Sequence, residues 1–369
     1  MANVLVLGGT GFIGRNLVEY LLADESRCAT IRVCDKTPPA LAFMTPKQIQ
    51  MYKENPKVEF IQCDLTKDAH VSKAFACPEE SRSSFQFVFN LCGETRFGLP
   101  SNDYHSRIVE SADKCGRAAA ACGAKWIELS TATLYKSSSA PCTESATVQP
   151  WTLQGQYRLE AEKVLSAIDG LPLVILRPAM VYGCGDLTSL TPRLSTAASY
   201  KFIKEKMKCL WDKSLAINCV HVEDVCAALW CAATQLQPGT IVNLADQSNL
   251  TQGVLNAMLE DTFDIETGFH GKILSNLAKL NFASVVESAN QKHVPAWQKL
   301  CAAHGISTTP ISPFLDATLL GNNNLLVDGS KITAMTGFEY KHPRITKQLL
   351  DEQLRYFVGL GIFPDVARK

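Results

Sequence analysis

No apolar run in this chain approaches the ~18–20 residues needed to cross a bilayer as a helix, so a helical membrane span is excluded on length. Charge of one sign is also missing: 36 basic side chains are matched by 36 acidic ones, for a net charge of zero. A polyanion-binding surface shows as a basic excess or a Lys/Arg block, so nucleic acid is not expected as a partner. The fourteen cysteines include no C-x-x-C pair, and the seven histidines have no ligand spacing with each other or with cysteine. No metal site is expected. Disulfide scaffolds are short and secreted; at 369 residues, with Cys34, Cys63, Cys92, Cys219, Cys226 and Cys231 inside apolar stretches, this chain reads as reduced and cytoplasmic. With the first strand expected to begin at Asn3, no signal peptide is expected, and the tail "DVARK" is not expected to serve as a lipidation or peroxisomal address. Low-complexity tracts and internal repeats are absent.

What is present is a rhythm. "NVLVLGG", "TIRVCDK", "KVEFIQCDL", "FQFVFNLCG", "AKWIELSTATLY" and "LPLVILRPAMVYG" are apolar runs of strand length. Helical stretches such as "FIGRNLVEYLLAD" and "SRIVESADKCGRAAAAC" lie between them. Strands apolar throughout and alternating with helices predict an α/β protein with a doubly wound parallel sheet, a Rossmann sheet, covered on both faces. The segments "AINCVHVEDVCAALWCAAT" and "GTIVNLAD" are expected to return to that sheet as strand–helix and strand. Residues 247–345 are more helical and richer in Asn, Pro and Ser. The boundaries expected are 1–185 for the nucleotide-binding domain, with 216–246 returning to it. Residues 186–215 and 247–369 would then form a smaller, mainly helical substrate lobe. "PPALAFMTPKQIQMYKENP" (38–56) reads as an insertion after the second strand.

"GGTGFIG" sets Gly8, Gly11 and Gly14 between the first strand and the first helix. The first glycine permits the tight turn, the second lets a pyrophosphate approach the backbone, and the third lets helix pack closely on strand. Thr10, Phe12 and Ile13 lie between them, at a helix start whose free N–H groups and positive dipole end favour phosphate. Asp35, ending the second strand, can accept both hydroxyls of an adenosine ribose and would repel a 2′-phosphate. The expected cofactor is therefore NAD, with NADP disfavoured.

The spacing Gly8-x-x-Gly11-x-x-Gly14 resembles the extended short-chain dehydrogenase/reductase family, in its epimerase/dehydratase branch. The likeness runs over most of the chain. "CDLTK" resembles the segment that touches adenine, which implies contacts from Asp64 and Leu65. "NLCGE" resembles the turn that runs along the cofactor, implicating Cys92 and Gly93. "LSTATLY" resembles the strand carrying the family's catalytic Ser/Thr, which falls on Thr131. "LRPAMVYGCGD" resembles the segment whose Pro178 and Met180 face the nicotinamide. "VHVEDV", "NLAD" and "TGFEYKHP" extend the match, and Tyr135 and Tyr182 fall on structural positions.

That family carries Tyr-x-x-x-Lys on a helix, the spacing of four placing both side chains on one face. The lysine lowers the tyrosine pKa and holds the ribose; the phenol moves the proton. "LQGQYRLEAEK" (153–163) offers two registers. From Tyr157 the fourth residue on is Ala161. In the register the flanking landmarks favour, Gln154 takes the tyrosine slot and Arg158 the lysine slot, 23 positions from Gln154 to Arg177. Neither register restores the dyad. Gln does not titrate, and Arg158 keeps its charge and could hold the ribose but is no proton shuttle.

Two functions compete on these residues. One is an NAD(H)-binding but catalytically silent member, a structural or regulatory subunit of an assembly or a homodimer. The other is an active NAD-dependent oxidoreductase or epimerase, of 3β-hydroxysteroid dehydrogenase-like or nucleotide-sugar type, with a relocated base at Tyr157 or Glu94 beside Thr131. Membrane association is not expected: the stripe Ile273, Leu274, Leu277, Leu280 in "HGKILSNLAKL" is of a kind that usually faces the core.

Overall fold

Four of the six residues of β1 (Ala2–Leu7) are fully buried, as a strand covered on both faces requires. The computed structural model describes residues 1–76 and 84–367. After β1 come α1 (Phe12–Leu22), β2 (Cys28–Asp35) and, inside the expected insertion, α2 (Pro46–Glu54). A capping box starts α2: Gln48 N–H donates to Thr45 Oγ1 at 3.1 Å, and Thr45 N–H donates to Gln48 Oε1 at 3.0 Å. The chain continues through β3 (Val58–Gln62), α3 (Asp68–Phe75), β4 (Phe87–Asn90), α4 (Ser101–Tyr104), a π-helical stretch (His105–Glu110), α5 (Ser111–Ala121), β5 (Lys125–Leu129), α6 (Leu153–Ser166) and β6 (Leu173–Pro178).

Then follow β7 (Met180–Tyr182), α7 (Thr191–Ile203), β8 (Met207–Cys209), β9 (Cys219–His221), α8 (Val222–Gln235) and β10 (Ile241–Leu244). The remainder is α9 (Gln252–Phe263), β11 (Thr267–Phe269), α10 (Gly271–Ala278), α11 (Phe282–Ala303), α12 (Lys331–Thr336) and α13 (Lys347–Gly359).

Seven strands form one parallel sheet in the order β10-β6-β5-β4-β1-β2-β3. From β1 the chain winds one way to β3 and then returns to build from β4 outward. The crevice at the carboxyl ends of β1 and β4 is the switch point where α/β sheets bind ligands. Of the two late segments expected in the sheet, only "GTIVNLAD" joins it, as β10 beside β6. β9 pairs instead with β7 in a separate two-stranded sheet, because β10 holds the edge next to β6.

Alternate side chains of the sheet enter two cores. Val4, Val6, Val33 and Ile127 pack with Leu17, Leu21 and Leu229 of α1 and α8. Leu5, Leu7, Val88 and Trp126 pack with Ala119, Ala161 and Leu165 of α5 and α6. A further core, with Leu194, Leu255, Leu259, Trp297 and Phe357, builds the helical lobe. Tyr135 and Tyr182 are buried, as expected of structural positions. A buried ion pair fixes α6 against β6: Arg177 Nε and Nη2 reach Glu162 at 3.0 and 2.5 Å. Arg177 Nη1 donates to the Tyr135 hydroxyl at 2.9 Å. No helix among the described residues is long and apolar enough to cross a membrane.

Candidate functional site

Gly11 caps α1 with extended backbone (φ −65°, ψ 176°), leaving the first amides of the helix directed into the crevice. Gly8 has φ +78°, and a Cβ there would come within 2.8 Å of the Leu91 carbonyl oxygen. A Cβ on Gly14 would run into the Gly8 carbonyl, so the helix packs on the loop as closely as backbone allows. These are the clearances a phosphate cradle needs.

Asp35 closes the far end. Its Oδ2 accepts the Thr10 N–H at 3.2 Å and its Oδ1 the Thr37 N–H at 3.0 Å. The Thr10 hydroxyl donates to the Thr37 carbonyl at 3.0 Å. From the other side, the buried Tyr52 hydroxyl of α2 donates to the Gly9 carbonyl at 2.6 Å. Burial pushes that phenol far above its usual pKa, so it stays a donor. Arg15 adds bonds to the carbonyls of Gly11 (3.2 Å) and Phe43 (2.8 Å). The insertion at 38–56 is thus a brace for the glycine loop.

Asp64 follows β3. Although partial burial opposes it, hydrogen bonds from the Thr66 hydroxyl (2.7 Å) and N–H (3.2 Å) hold its carboxyl below the usual range. Leu65 is buried in the core beside it. Pro178 ends β6 and Met180 opens β7, its N–H bonded to the Asn218 carbonyl at 3.1 Å.

Gln154 and Arg158, the two positions expected in the dyad slots, lie on α6. Thr152 caps this helix, accepting the Gly155 N–H at 2.9 Å. A hydroxyl chain runs back to Thr131: Thr152 Oγ1 is 3.3 Å from Thr133 Oγ1, which is 3.1 Å from Thr131 Oγ1. The Gln154 amide donates to the Arg96 carbonyl at 3.0 Å, which also accepts the Tyr104 hydroxyl at 2.7 Å. Gln154 Oε1 is buried with no hydrogen-bond partner among the described residues.

Arg158 is engaged twice. Its Nη1 lies 3.2 Å from Glu128 Oε1, and its Nη2 donates to the Cys92 carbonyl at 2.7 Å. Glu128 is 1% exposed and also accepts from Asn90 Nδ2 (2.7 Å) and Trp126 Nε1 (3.0 Å). Burial raises its pKa and Arg158 opposes that rise. Gly93, at φ +145°, is the neighbour that makes room: a Cβ there would meet the Arg158 guanidinium. Arg158, Cys92 and Gly93 are therefore brought together, with Glu128 as an added partner.

Tyr157 sits elsewhere. Its ring stacks on Tyr104 (6.0 Å between centroids, planes 10° apart) and meets His105 edge-on at 6.1 Å. Glu94, the other base considered, is buried and accepts from Arg96 N, Nε and Nη2 at 2.8–2.9 Å and from Arg107 Nη1 at 2.5 Å. Despite burial, those hydrogen bonds hold its carboxyl down to about 2. A carboxylate held so low is a poor base near neutral pH. The π-helical stretch carries Arg107 to it.

Glu128, Tyr52, Thr133, Thr152, Arg96 and Arg107 were not singled out in the sequence. One of them left a trace there: Glu128 is a lone carboxylate in the strand "KWIEL", between two apolar neighbours. The others depend on loops meeting across the crevice. His221, Glu223 and His342 also converge, with ligand atoms within 4.8 Å of one another. No local spacing could have shown that. Glu223 there is bonded to the Lys341 ammonium (2.5 Å) and to His342 Nε2 (3.1 Å).

The family model for the NAD dependent epimerase/dehydratase family matches residues 4–245. The chain belongs to that family. No curated protein sequence matches this chain closely enough to count as a relative. Among solved structures, it is similar to UDP-glucuronic acid 4-epimerase from Bacillus cereus, in complex with UDP-glucuronic acid and NAD. Identity there is 16%, with 97% of this chain and 99% of that chain covered and a TM-score of 0.68. It is also similar to the dTDP-glucose 4,6-dehydratase DesIV from Streptomyces venezuelae (16%, 96% and 96%, TM-score 0.68). WbmG from Bordetella bronchiseptica, in complex with NAD, is a third (16%, 98% and 96%, TM-score 0.66). At these identities the likeness is one of fold. Family members share the crevice; what each does there depends on the residues lining it.

Proposed function

We propose that this protein binds NAD(H) in the family's crevice but has given up the family's proton transfer, and serves as a structural or regulatory subunit. One observation carries the reading. The slot of the lysine holds Arg158, bound to Glu128 and to the Cys92 carbonyl, while the slot of the tyrosine holds Gln154, whose amide is bound to the Arg96 carbonyl. Neither side chain can give or take a proton at neutral pH.

The residues present fit the dinucleotide. The cradle at Gly8, Gly11 and Gly14, with the amides of Thr10, Phe12 and Ile13, would hold the pyrophosphate, and Asp35 the adenosine ribose. Asp64 and Leu65 would flank adenine. Cys92, Gly93, Pro178 and Met180 would line the nicotinamide half, with Arg158 beneath it. NAD, when bound, supplies a hydride-accepting ring; the chain positions it and keeps Thr131 as an oriented hydroxyl. The neighbours solved with nucleotide sugars and NAD support a dinucleotide and a substrate-side lobe in this chain too.

The second reading, an active oxidoreductase or epimerase, rests on the surviving Thr131–Thr133–Thr152 hydroxyl chain and needs Tyr157 as base. Both are tested together. The purified chain is first titrated with NAD⁺ and NADH, followed by nicotinamide fluorescence. The NAD⁺ complex is then mixed with secondary alcohols and nucleotide sugars while NADH absorbance is followed. Binding without turnover is expected. Turnover that Gln154→Ala leaves intact and Tyr157→Phe abolishes would establish the second reading instead.

A further inference from the structure

The stripe expected to face the core faces out. In α10 and the single turn that continues it, Ile273 is 81% exposed, Leu274 54%, Leu277 59% and Leu280 84%. The fully buried residue of this helix is a serine: Ser275 Oγ accepts the Trp211 N–H at 2.6 Å. The other anchors are polar as well. Gly271 N–H donates to the Trp211 carbonyl (3.0 Å), Lys272 pairs with Asp212 (3.3 Å), and Lys279 lies 4.8 Å over the Trp211 ring. The helix is therefore amphipathic with its polar side inward, the reverse of a core helix. Phe314 and Leu319 are also exposed, and the segment that carries them is tied to the same tryptophan, whose Nε1 donates to the Leu320 carbonyl at 2.8 Å.

Charge says what covers this face. No carboxylate occurs from Thr267 to Val286. Alongside α10 run β11 and β8, paired in parallel register Met207↔Thr267, Lys208↔Gly268 and Cys209↔Phe269. The segments 200–215 and 266–286 together carry seven lysines (201, 204, 206, 208, 213, 272, 279) against Glu205, Asp212 and Glu266, a net of +4 in a chain whose total is zero. Apolar side chains exposed on a helix within segments of net positive charge match the anionic surface of a bilayer, into whose interface such helices sink their apolar face. A second copy of the same chain would bring like charge against like.

We infer that α10 docks the protein on an anionic lipid surface, lying in the interface rather than spanning it. The test is flotation of the full chain with vesicles of phosphatidylcholine alone or mixed with phosphatidylserine. Binding to the mixed vesicles is expected to be on the order of tenfold tighter and to weaken with salt. Leu277→Ser with Leu280→Ser, at exposed positions that leave thermal melting unchanged, should abolish it. Lys208→Glu with Lys213→Glu should remove the preference for phosphatidylserine. Equal partition to both vesicle types overturns the inference, as does undiminished binding of the leucine variant. A solution dimer that the leucine variant dissolves, with no vesicle binding by the parent, overturns it too and makes the face a self-interface.

Discussion

Arg158 and Glu128 form an ion pair beneath the crevice, Nη1 to Oε1 at 3.2 Å, with side chains only 12% and 1% exposed. The pair joins α6 to β5. It also turns the Arg158 guanidinium toward Glu128, while its other nitrogen holds the Cys92 carbonyl at 2.7 Å.

Removing one partner leaves the other charge buried alone. Glu128→Leu is expected to destabilise the chain by about 3 kcal/mol, and Glu128→Leu with Arg158→Met by much less. Urea denaturation of the parent, both single variants and the double variant checks this. Additive losses would show that the two side chains are not coupled.

Tyr52 tests whether the insertion serves the cofactor loop. Tyr52→Phe deletes the bond to the Gly9 carbonyl and little else. NAD affinity should fall roughly fivefold, equivalent to about 1 kcal/mol for one hydrogen bond. The readout is fluorescence titration, with the melting temperature as the control for folding.

Asp35 is the residue proposed to set the cofactor preference. Asp35→Asn keeps an acceptor for the Thr10 N–H but removes the charge. NAD binding should weaken by about 1.5–3 kcal/mol, the worth of hydrogen bonds to a charged group. NADP binding should improve, because a 2′-phosphate is no longer repelled. Equal losses for both cofactors would argue against a ribose contact.

Acid should weaken the fold in two windows. Burial, reinforced for His221 by the nearby His342, lowers the pKa of His221 and His293 from 6.5 to about 4. The unfolded chain takes up these protons first, so stability falls as pH drops from about 6.5 to 4. Glu94, held down to about 2 from 4.5, contributes stability that is complete above 4.5 and is lost as pH falls toward 2. Melting temperature against pH should show both declines. Glu94→Gln should flatten the lower one only.

The sheet, the glycine loop and Asp35 were legible because their signals are local: apolar runs of strand length, glycines at fixed offsets, a carboxylate at a strand end. The helix that carries Gln154 and Arg158 was legible for the same reason. Glu128's role was not, since its partners Asn90, Trp126 and Arg158 come from two other elements besides its own neighbourhood. Nor could periodicity give the orientation of α10. The spacing of Ile273, Leu274, Leu277 and Leu280 defines a face but not its direction, which is set by Ser275 and Trp211. β9 misled by composition: "INCVH" has strand character, and only the competition with β10 for the sheet edge excludes it.

On the reading proposed above, the carboxylate under Arg158 would make a departure from proton chemistry hard to reverse. A lysine returned to that helix position would find Glu128 waiting and be drawn down to it, away from the dinucleotide. Removing Glu128 first would strand a guanidinium in the interior, and changing Gln154 alone would supply a phenol with no ammonium to tune it. Each single-step path to a tyrosine–lysine pair at these positions would therefore pass through a form that is either less stable or still without the pair, so mutation would drift away from such a pair more easily than toward it.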